Sequence, residues 1–270
     1  MSTLEVRGLT KDYRLRNGLR SRTLRAVDDV DFELSPGRTV ALVGQSGSGK
    51  STIAKLLMQL EKPTAGAILL DGKPIAGRAD YRRTVQMVFQ DPFASLNPYH
   101  DVAHHLARPI RLHHRGLPPE AVRQRVLELL ERVRLTPAAE VARRRPHELS
   151  GGQRQRVAIA RALAPSPGIL VADEPVSMLD VSIRLGVLNL LAALQRESSL
   201  GVLYITHDLA TARHFSDEIL VLLRGRVVER GPADSVILRP QHEYTKTLAA
   251  AAPDPERRAG GSRTHRPERC

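Results

Sequence analysis

The stretch GQSGSGKST, Gly44 to Thr52, decides the fold. It follows the short apolar run TVALV (39–43) and leads at once into a helical stretch from Ser51 to Leu60. It fits the spacing G-x-x-x-x-G-K-[ST] in the strand–loop–helix setting that this spacing requires. Glycines let backbone N–H groups converge on phosphate oxygens without obstruction by a Cβ. The start of the helix adds positive potential. Lys50 then reaches the β- and γ-phosphates of a nucleotide, and Ser51 offers its hydroxyl to Mg²⁺. The whole loop (Gly44, Gln45, Ser46, Gly47, Ser48, Gly49, Lys50, Ser51 and Thr52) is the candidate phosphate cradle. An ordinary glycine-rich turn is the other reading, and the strand before the loop and the helix after it speak against that.

A second stretch supports the first. In ILVADEP, 169–175, four apolar residues make a buried strand and two carboxylates follow at its C-terminal end. Open parallel sheets present ligand groups at that edge. Asp173 is placed to hold Mg²⁺, and Glu174 to polarise an attacking water as general base. A third stretch, LSGGQRQR, 149–156, puts an N-cap serine and two glycines ahead of a helix beginning near Gln153. Such a helix start is a second anion site, one more than a single nucleotide needs from one chain.

Working outward, residues 3–8 and 27–34 alternate apolar and polar as half-buried strands do. Residues 67–75 read as a strand with an Asp-Gly turn, and 85–89 as a short strand. Residues 91–120 are rich in Pro and His and carry no strand pattern. Glu120 to Leu135 is an amphipathic helix with Val122, Val126, Leu129, Leu130 and Val133 on one face. The α/β pattern then resumes, with helices at 153–164 and 182–197, a buried strand at 202–206, and a strand pair at 218–223 and 226–230. Short apolar strands alternating with helices indicate a parallel sheet covered on both faces. The expected division is an α/β core with a β subdomain at 1–90 and 151–235, a helical insert at 91–150, and a C-terminal segment at 236–270. Asp28–Asp29 reads as a turn.

Composition bounds the rest. The chain has 270 residues, 41% hydrophobic but only 3% aromatic, so aliphatic side chains must build the core. No apolar run reaches the roughly 18 residues of a membrane span, and the N-terminus lacks the apolar region of a secretory signal. Both point to the cytosol. The single cysteine, Cys270, leaves no internal disulfide and no cysteine-built metal site. The net charge of +12 comes mostly from Arg spread along the chain and reads as a solvated surface. No patterned basic face points to nucleic acid. The densest patch, Arg257 to Arg269, reads as a disordered tail that could touch anionic headgroups. His104–His105 and His113–His114, with His100 nearby, lack ligand-grade spacing and read as a partner-facing surface.

With these motifs in order, the chain resembles the ATP-binding subunits of ABC transporters. LSGGQRQR looks like the ABC signature. In that family it covers, in a head-to-tail dimer, the γ-phosphate bound by the other subunit, which assigns Ser150, Gly151, Gly152 and Gln153 a role in trans. Gln90 resembles the Q-loop glutamine, which senses Mg²⁺ and the attacking water. His207 resembles the switch histidine, and Asp180, in SMLD, the D-loop aspartate. Met178 stands where the usual pattern has Ala. Tyr13 resembles the aromatic that stacks on adenine, and a half-buried strand residue is the alternative there. FQDPFASLNPYHDV (89–102) and RPHELSGGQRQRVAIARAL (145–163) are similar to the oligopeptide, dipeptide and nickel importers, as is HEYTKTLAAAAPDP (242–255), with Glu243 replacing a proline.

The resemblance implies a P-loop NTPase with a RecA-like parallel sheet, an antiparallel β subdomain and an inserted α-helical signature subdomain. It implies ATP hydrolysis with Mg²⁺ held by Ser51, Gln90 and Asp173, and catalysis by Glu174, His207 and Gln90. It further implies a second ATP-binding subunit, two membrane permease subunits, an indirectly engaged solute-binding protein, and a peripheral position on the cytoplasmic face of the membrane. No iron–sulfur centre is expected. A phosphonate-processing complex, whose ATPases resemble this subfamily, is the alternative.

Overall fold

The computed structural model describes residues 2–17, 20–75 and 77–251; the basic tail and Cys270 lie outside them. A long hairpin comes first: β1 (Leu4–Asn17) pairs antiparallel with β2 (Arg20–Leu34). Then follow β3 (Thr39–Val43), α1 (Lys50–Leu57), β4 (Ala65–Leu70), β5 (Lys73–Pro74), α2 (Arg78–Thr84) and β6 (Val85–Val88). Helices fill the next stretch: α3 (Pro92–Ser95), α4 (Val102–His113), α5 (Pro119–Arg132) and α6 (Ala138–Arg143). A single 3₁₀ turn at Pro146–Glu148 leads into α7 (Gly151–Leu163). The chain continues through β7 (Ile169–Asp173), α8 (Val181–Ser198), β8 (Gly201–Thr206), α9 (Leu209–Phe215), β9 (Glu218–Leu223), β10 (Arg226–Pro232), α10 (Ala233–Leu238) and α11 (Glu243–Ala251).

The strands form two sheets. One is antiparallel, in the order β2-β1-β4-β5; the other has six strands in the order β10-β9-β3-β8-β7-β6. In the second sheet β9, β3, β8, β7 and β6 run parallel and β10 returns antiparallel at one edge. β3 and β8 are buried at every residue. That is why TVALV and VLYIT are unbroken apolar runs rather than alternating ones: both faces of a parallel strand are covered. Leu42, Val171, Leu203 and Ile205 pack with Ile53 and Leu57 of α1 and with Val6, Phe32 and Leu34 of the antiparallel sheet. On the other face Ala41, Leu170 and Tyr204 join a core continuous with α7 and α8 and with the helices before them.

Between β6 and β7, the apolar face Val122, Val126, Leu129, Leu130 and Val133 is buried, packed in one core with Leu106, Ile110 and Val141. Among the described residues no helix is long and apolar enough to cross a membrane.

Three local expectations are corrected. Asp28–Asp29 is not a turn: both residues lie inside β2, where Asp29 adopts φ 54° at an irregularity in the pairing. Asp28 accepts from Arg226 (2.5 Å) and Arg25 (3.2 Å), so its carboxylate ties β2 to the start of β10. The hairpin is far longer than 3–8 and 27–34, its strands reaching Asn17 and Arg20 through a stretch rich in Arg. The first helix stops at Leu57, where Gln59 turns left-handed at φ 53°.

Candidate functional site

Parallel pairing places the site. β3, β6, β7 and β8 all point the same way, so the residues that follow their C-terminal ends share one edge. Gly44 follows β3, Gln90 lies two residues beyond β6, Glu174 follows β7 and His207 follows β8. A cleft of about 780 Å³ opens there, lined by Gln45, Ser46, Gly47, Gly49, Lys50, Ser51, Thr52, Gln90, Glu174 and His207, with Tyr13, Leu24 and Ala26 from the hairpin.

The loop's shape follows from its glycines. Gly49 lies at φ 116°, a conformation that L side chains rarely adopt, and a Cβ there would strike the carbonyl of Ala26. α1 starts directly behind it with no side-chain cap, so its first N–H groups keep their donors for an anion. Gly44 and Ser48 are buried beneath the cleft. Lys50 is buried and donates to the carbonyls of Gly44 (2.6 Å) and Gln45 (3.0 Å). Burial pulls its pKa down, and the charges of Glu174 and Asp173 oppose that.

The two carboxylates differ in setting. Asp173 is pushed up to about 6, first by burial and then by the charge of Glu174, with Lys50 opposing. Glu174 is a crossing point. One carboxylate oxygen accepts from the Gln90 amide at 3.0 Å, and the other lies 3.1 Å from His207 Nδ1. Its backbone turns left-handed at φ 43°, while its N–H donates to Ile205 at 2.9 Å, tying β7's end to β8. Asp208 caps α9 by accepting from the N–H groups of Ala210 (2.9 Å) and Thr211 (3.4 Å), which fixes the turn that carries His207.

Tyr13 pairs with Leu24 across the hairpin and lines the cleft. Burial, then its hydrogen bond to Glu61, pushes its phenol pKa up, and Lys11 Nζ sits 5.0 Å from the ring centre. The ring is thus anchored at its hydroxyl.

Ser150, Gly151, Gly152 and Gln153 do not line this cleft. They open α7 with a capping box: Ser150 Oγ accepts from Gln153 N–H (3.3 Å), and Gln153 Oε1 accepts from Ser150 N–H (2.9 Å). Gly152 faces Ile183 of α8 so closely that a Cβ would sit 2.7 Å from its Cγ2. Asp180 precedes α8, beside the exposed Met178 and Val181. A second groove, of about 880 Å³, lies between the sheet and the helices, lined by residues including Phe89, Gln90, Asp91, His104, Arg108 and Leu112. The His100 and His104 rings stack in it at 3.9 Å, and among the described residues no group of three or more His, Cys, Asp or Glu forms a metal site.

Sequence reasoning passed over three contributors. Leu24 and Ala26 line the cleft from a strand masked by its charged neighbours. Tyr244, far along the chain, accepts from Gln45 N–H at 3.0 Å.

The fold has counterparts. Residues 27–177 match the family described as ABC transporter. The chain is 46% identical to a glutathione import ATP-binding protein, GsiA, of Salmonella choleraesuis, over 98% of this chain and 43% of that protein. It thus spans less than half the length of that relative. It is 44% identical to the di/tripeptide transport ATP-binding protein DppF of Pseudomonas aeruginosa, over 93% of this chain and 79% of that one. Among solved structures, the ATP-binding cassette MJ0796, a dimer in a post-hydrolysis state bound to ADP and Pi, superposes with a TM-score of 0.73 at 32% identity, covering 85% of this chain and 98% of that one.

Proposed function

The chain belongs to the ABC transporter family, and from that premise we propose that it is the ATP-hydrolysing subunit of an importer for peptides or similarly small solutes. The observation that carries this reading is the Glu174 carboxylate, held between Gln90 and His207 at the mouth of the Lys50 cleft. A general base needs a fixed position and a free lone pair toward the reacting water, and both its neighbours fix it.

The triphosphate of ATP lies along Gln45–Thr52, with the Lys50 ammonium against the β- and γ-phosphates and Tyr13 against the adenine. Water attacks the γ-phosphorus, its proton passes to Glu174, and the bond to the ADP oxygen breaks. His207 holds the carboxylate's second oxygen and reaches the same phosphate. The donors Ser51, Gln90 and Asp173 are all oxygen groups, which suit Mg²⁺. Two neighbouring carboxylates beside a single lysine, one pushed up to about 6, make a place that a divalent cation would relieve. When bound, Mg²⁺ offsets charge on the β- and γ-phosphate oxygens.

Ser150–Gln153 stand away from the chain's own cleft, which supports their use in trans, against ATP held by a second subunit. The dimeric cassette MJ0796 and the exposed Met178 and Val181 beside Asp180 support the same pairing. In this division, 1–90 and 151–235 carry the nucleotide. The insert at 91–150, with the groove beside Gln90, receives a permease subunit at the cytoplasmic membrane face. The peptide class is inferred from the two relatives, a glutathione import protein and a di/tripeptide transport protein.

The test is Glu174→Gln. Binding of Mg·ATP should persist while turnover falls by about 10²–10⁴-fold, measured by calorimetry and phosphate release. A purified chain that binds no ATP, or a variant that hydrolyses it at the native rate, overturns the reading. Co-purification with permease subunits and ATP-dependent peptide uptake into vesicles tests the transport half.

A further inference from the structure

Gln45, the first residue after Gly44, is held from both ends of its backbone. Its carbonyl accepts from the Lys50 ammonium (3.0 Å) and from Ser48 N–H (3.2 Å). Its N–H donates to the Tyr244 hydroxyl at 3.0 Å, across 199 residues of sequence. The partner is itself fastened. Glu229 on β10 accepts from the N–H groups of Gln241 (2.8 Å) and His242 (2.9 Å), just ahead of α11. Tyr244 N–H donates to His242 Nδ1 at 3.1 Å, and the side chain packs against the core that runs under the sheet. Its neighbour Thr245 is fully buried. A chain of contacts therefore runs from β10 through residues 241–244 to the phosphate-binding loop.

A loop that binds phosphate through its backbone must hold its peptide planes in register before the ligand arrives, or binding must supply the ordering. Here the peptide joining Gly44 to Gln45 is the hinge of that register. Rotating it breaks the bond to Tyr244 and swings away the carbonyl of Gly44, on which Lys50 rests. A neutral phenol suits this post, since it brings no charge to compete with the phosphates. We propose that Tyr244 is a positioning residue for the nucleotide, and that the segment 241–251 acts as a latch that sets the affinity of the loop. This rests on reading the cleft as the ATP site.

Tyr244→Phe keeps the ring's packing and removes the acceptor. ATP Kd and KM are expected to rise together by about three- to tenfold, the scale of one hydrogen bond, with kcat at saturating ATP unchanged. Glu229→Ala, which releases the latch at its other end, should weaken ATP to a similar degree. The double variant should be no weaker than the more affected single one, because the two changes break the same chain of contacts. Native Kd and KM in Tyr244→Phe overturn the proposal, as does additivity in the double variant. A native chain that binds no ATP would instead remove the reading of the cleft on which the proposal rests.

Discussion

Two helices of the chain start beside glycines, α1 directly after Gly49 and α7 on Gly151 and Gly152, and the two starts are finished differently. α1 begins behind Gly49, left-handed and without a side-chain cap. α7 begins behind Ser150, closed by reciprocal bonds with Gln153. An uncapped helix start holds its N–H donors for something else, and at α1 that something faces Lys50, Gln90 and Glu174. A capped start is rigid on its own. It presents a fixed surface in which the Ser150 hydroxyl accepts from within and still has a proton to donate outward. Under the proposed function, the difference would separate two tasks: binding phosphate in the chain's own cleft and closing over phosphate held by a partner.

Lys50→Ala is the heaviest blow to the first half of that comparison. It removes the buried ammonium whose charge offsets Asp173 and Glu174. Charged hydrogen bonds contribute about 1.5–3 kcal/mol each, so ATP affinity should fall at least tenfold, measured by calorimetry. Native affinity would mean that the uncapped start alone holds the nucleotide. Ser150→Arg attacks the second half. It should leave ATP affinity of the single subunit unchanged, because Ser150 does not line the cleft. It should abolish ATP-dependent dimers in a Glu174→Gln background, read by light scattering, with a second copy or a co-expressed second ATPase as partner. Dimers that persist would show that the capped start does not face a partner's phosphate.

How far the residues alone reveal all this depends on range. The parallel strands announce themselves, since 39–43, 169–172 and 202–206 are apolar runs whose burial follows from their composition. Gly44 and His207 sit directly after such runs, Glu174 one residue further on, and Gln90 just past the short strand at 85–88, so local order alone suggests that they share an edge. Long-range and solvated features stay hidden. The distal hairpin is rich in Arg in the sequence, so neither its length nor the position of Leu24 shows. α4 is disguised by its histidines and by Pro109, which removes a backbone hydrogen bond without ending the helix. Asp28–Asp29 has the composition of a turn, yet it belongs to a strand edge that pairs with Arg226, 198 residues away. Tyr244 touches Gln45 from a helix whose sequence carries no sign of the contact.

The gentlest test separates the cap of α7 from what it faces. Ser150→Ala removes the acceptor for Gln153 N–H and leaves no bulk to block a partner. An N-cap serine contributes about 1 kcal/mol, so the native state should lose about that much, read as a lower midpoint in urea at unchanged slope. ATP affinity in the chain's own cleft should not move. Activity then discriminates between the two roles of the same side chain. If Ser150 serves only as a cap, hydrolysis by the assembled dimer stays native once the protein is folded. If its hydroxyl also donates to phosphate across the seam, hydrolysis falls severalfold under conditions where stability is ample. Ser150→Thr restores both oxygen and proton and should recover activity along with the midpoint, whereas Ser150→Asp restores the acceptor alone and should recover only the midpoint. A variant pair in which aspartate and threonine behave alike would collapse the distinction between the two helix starts.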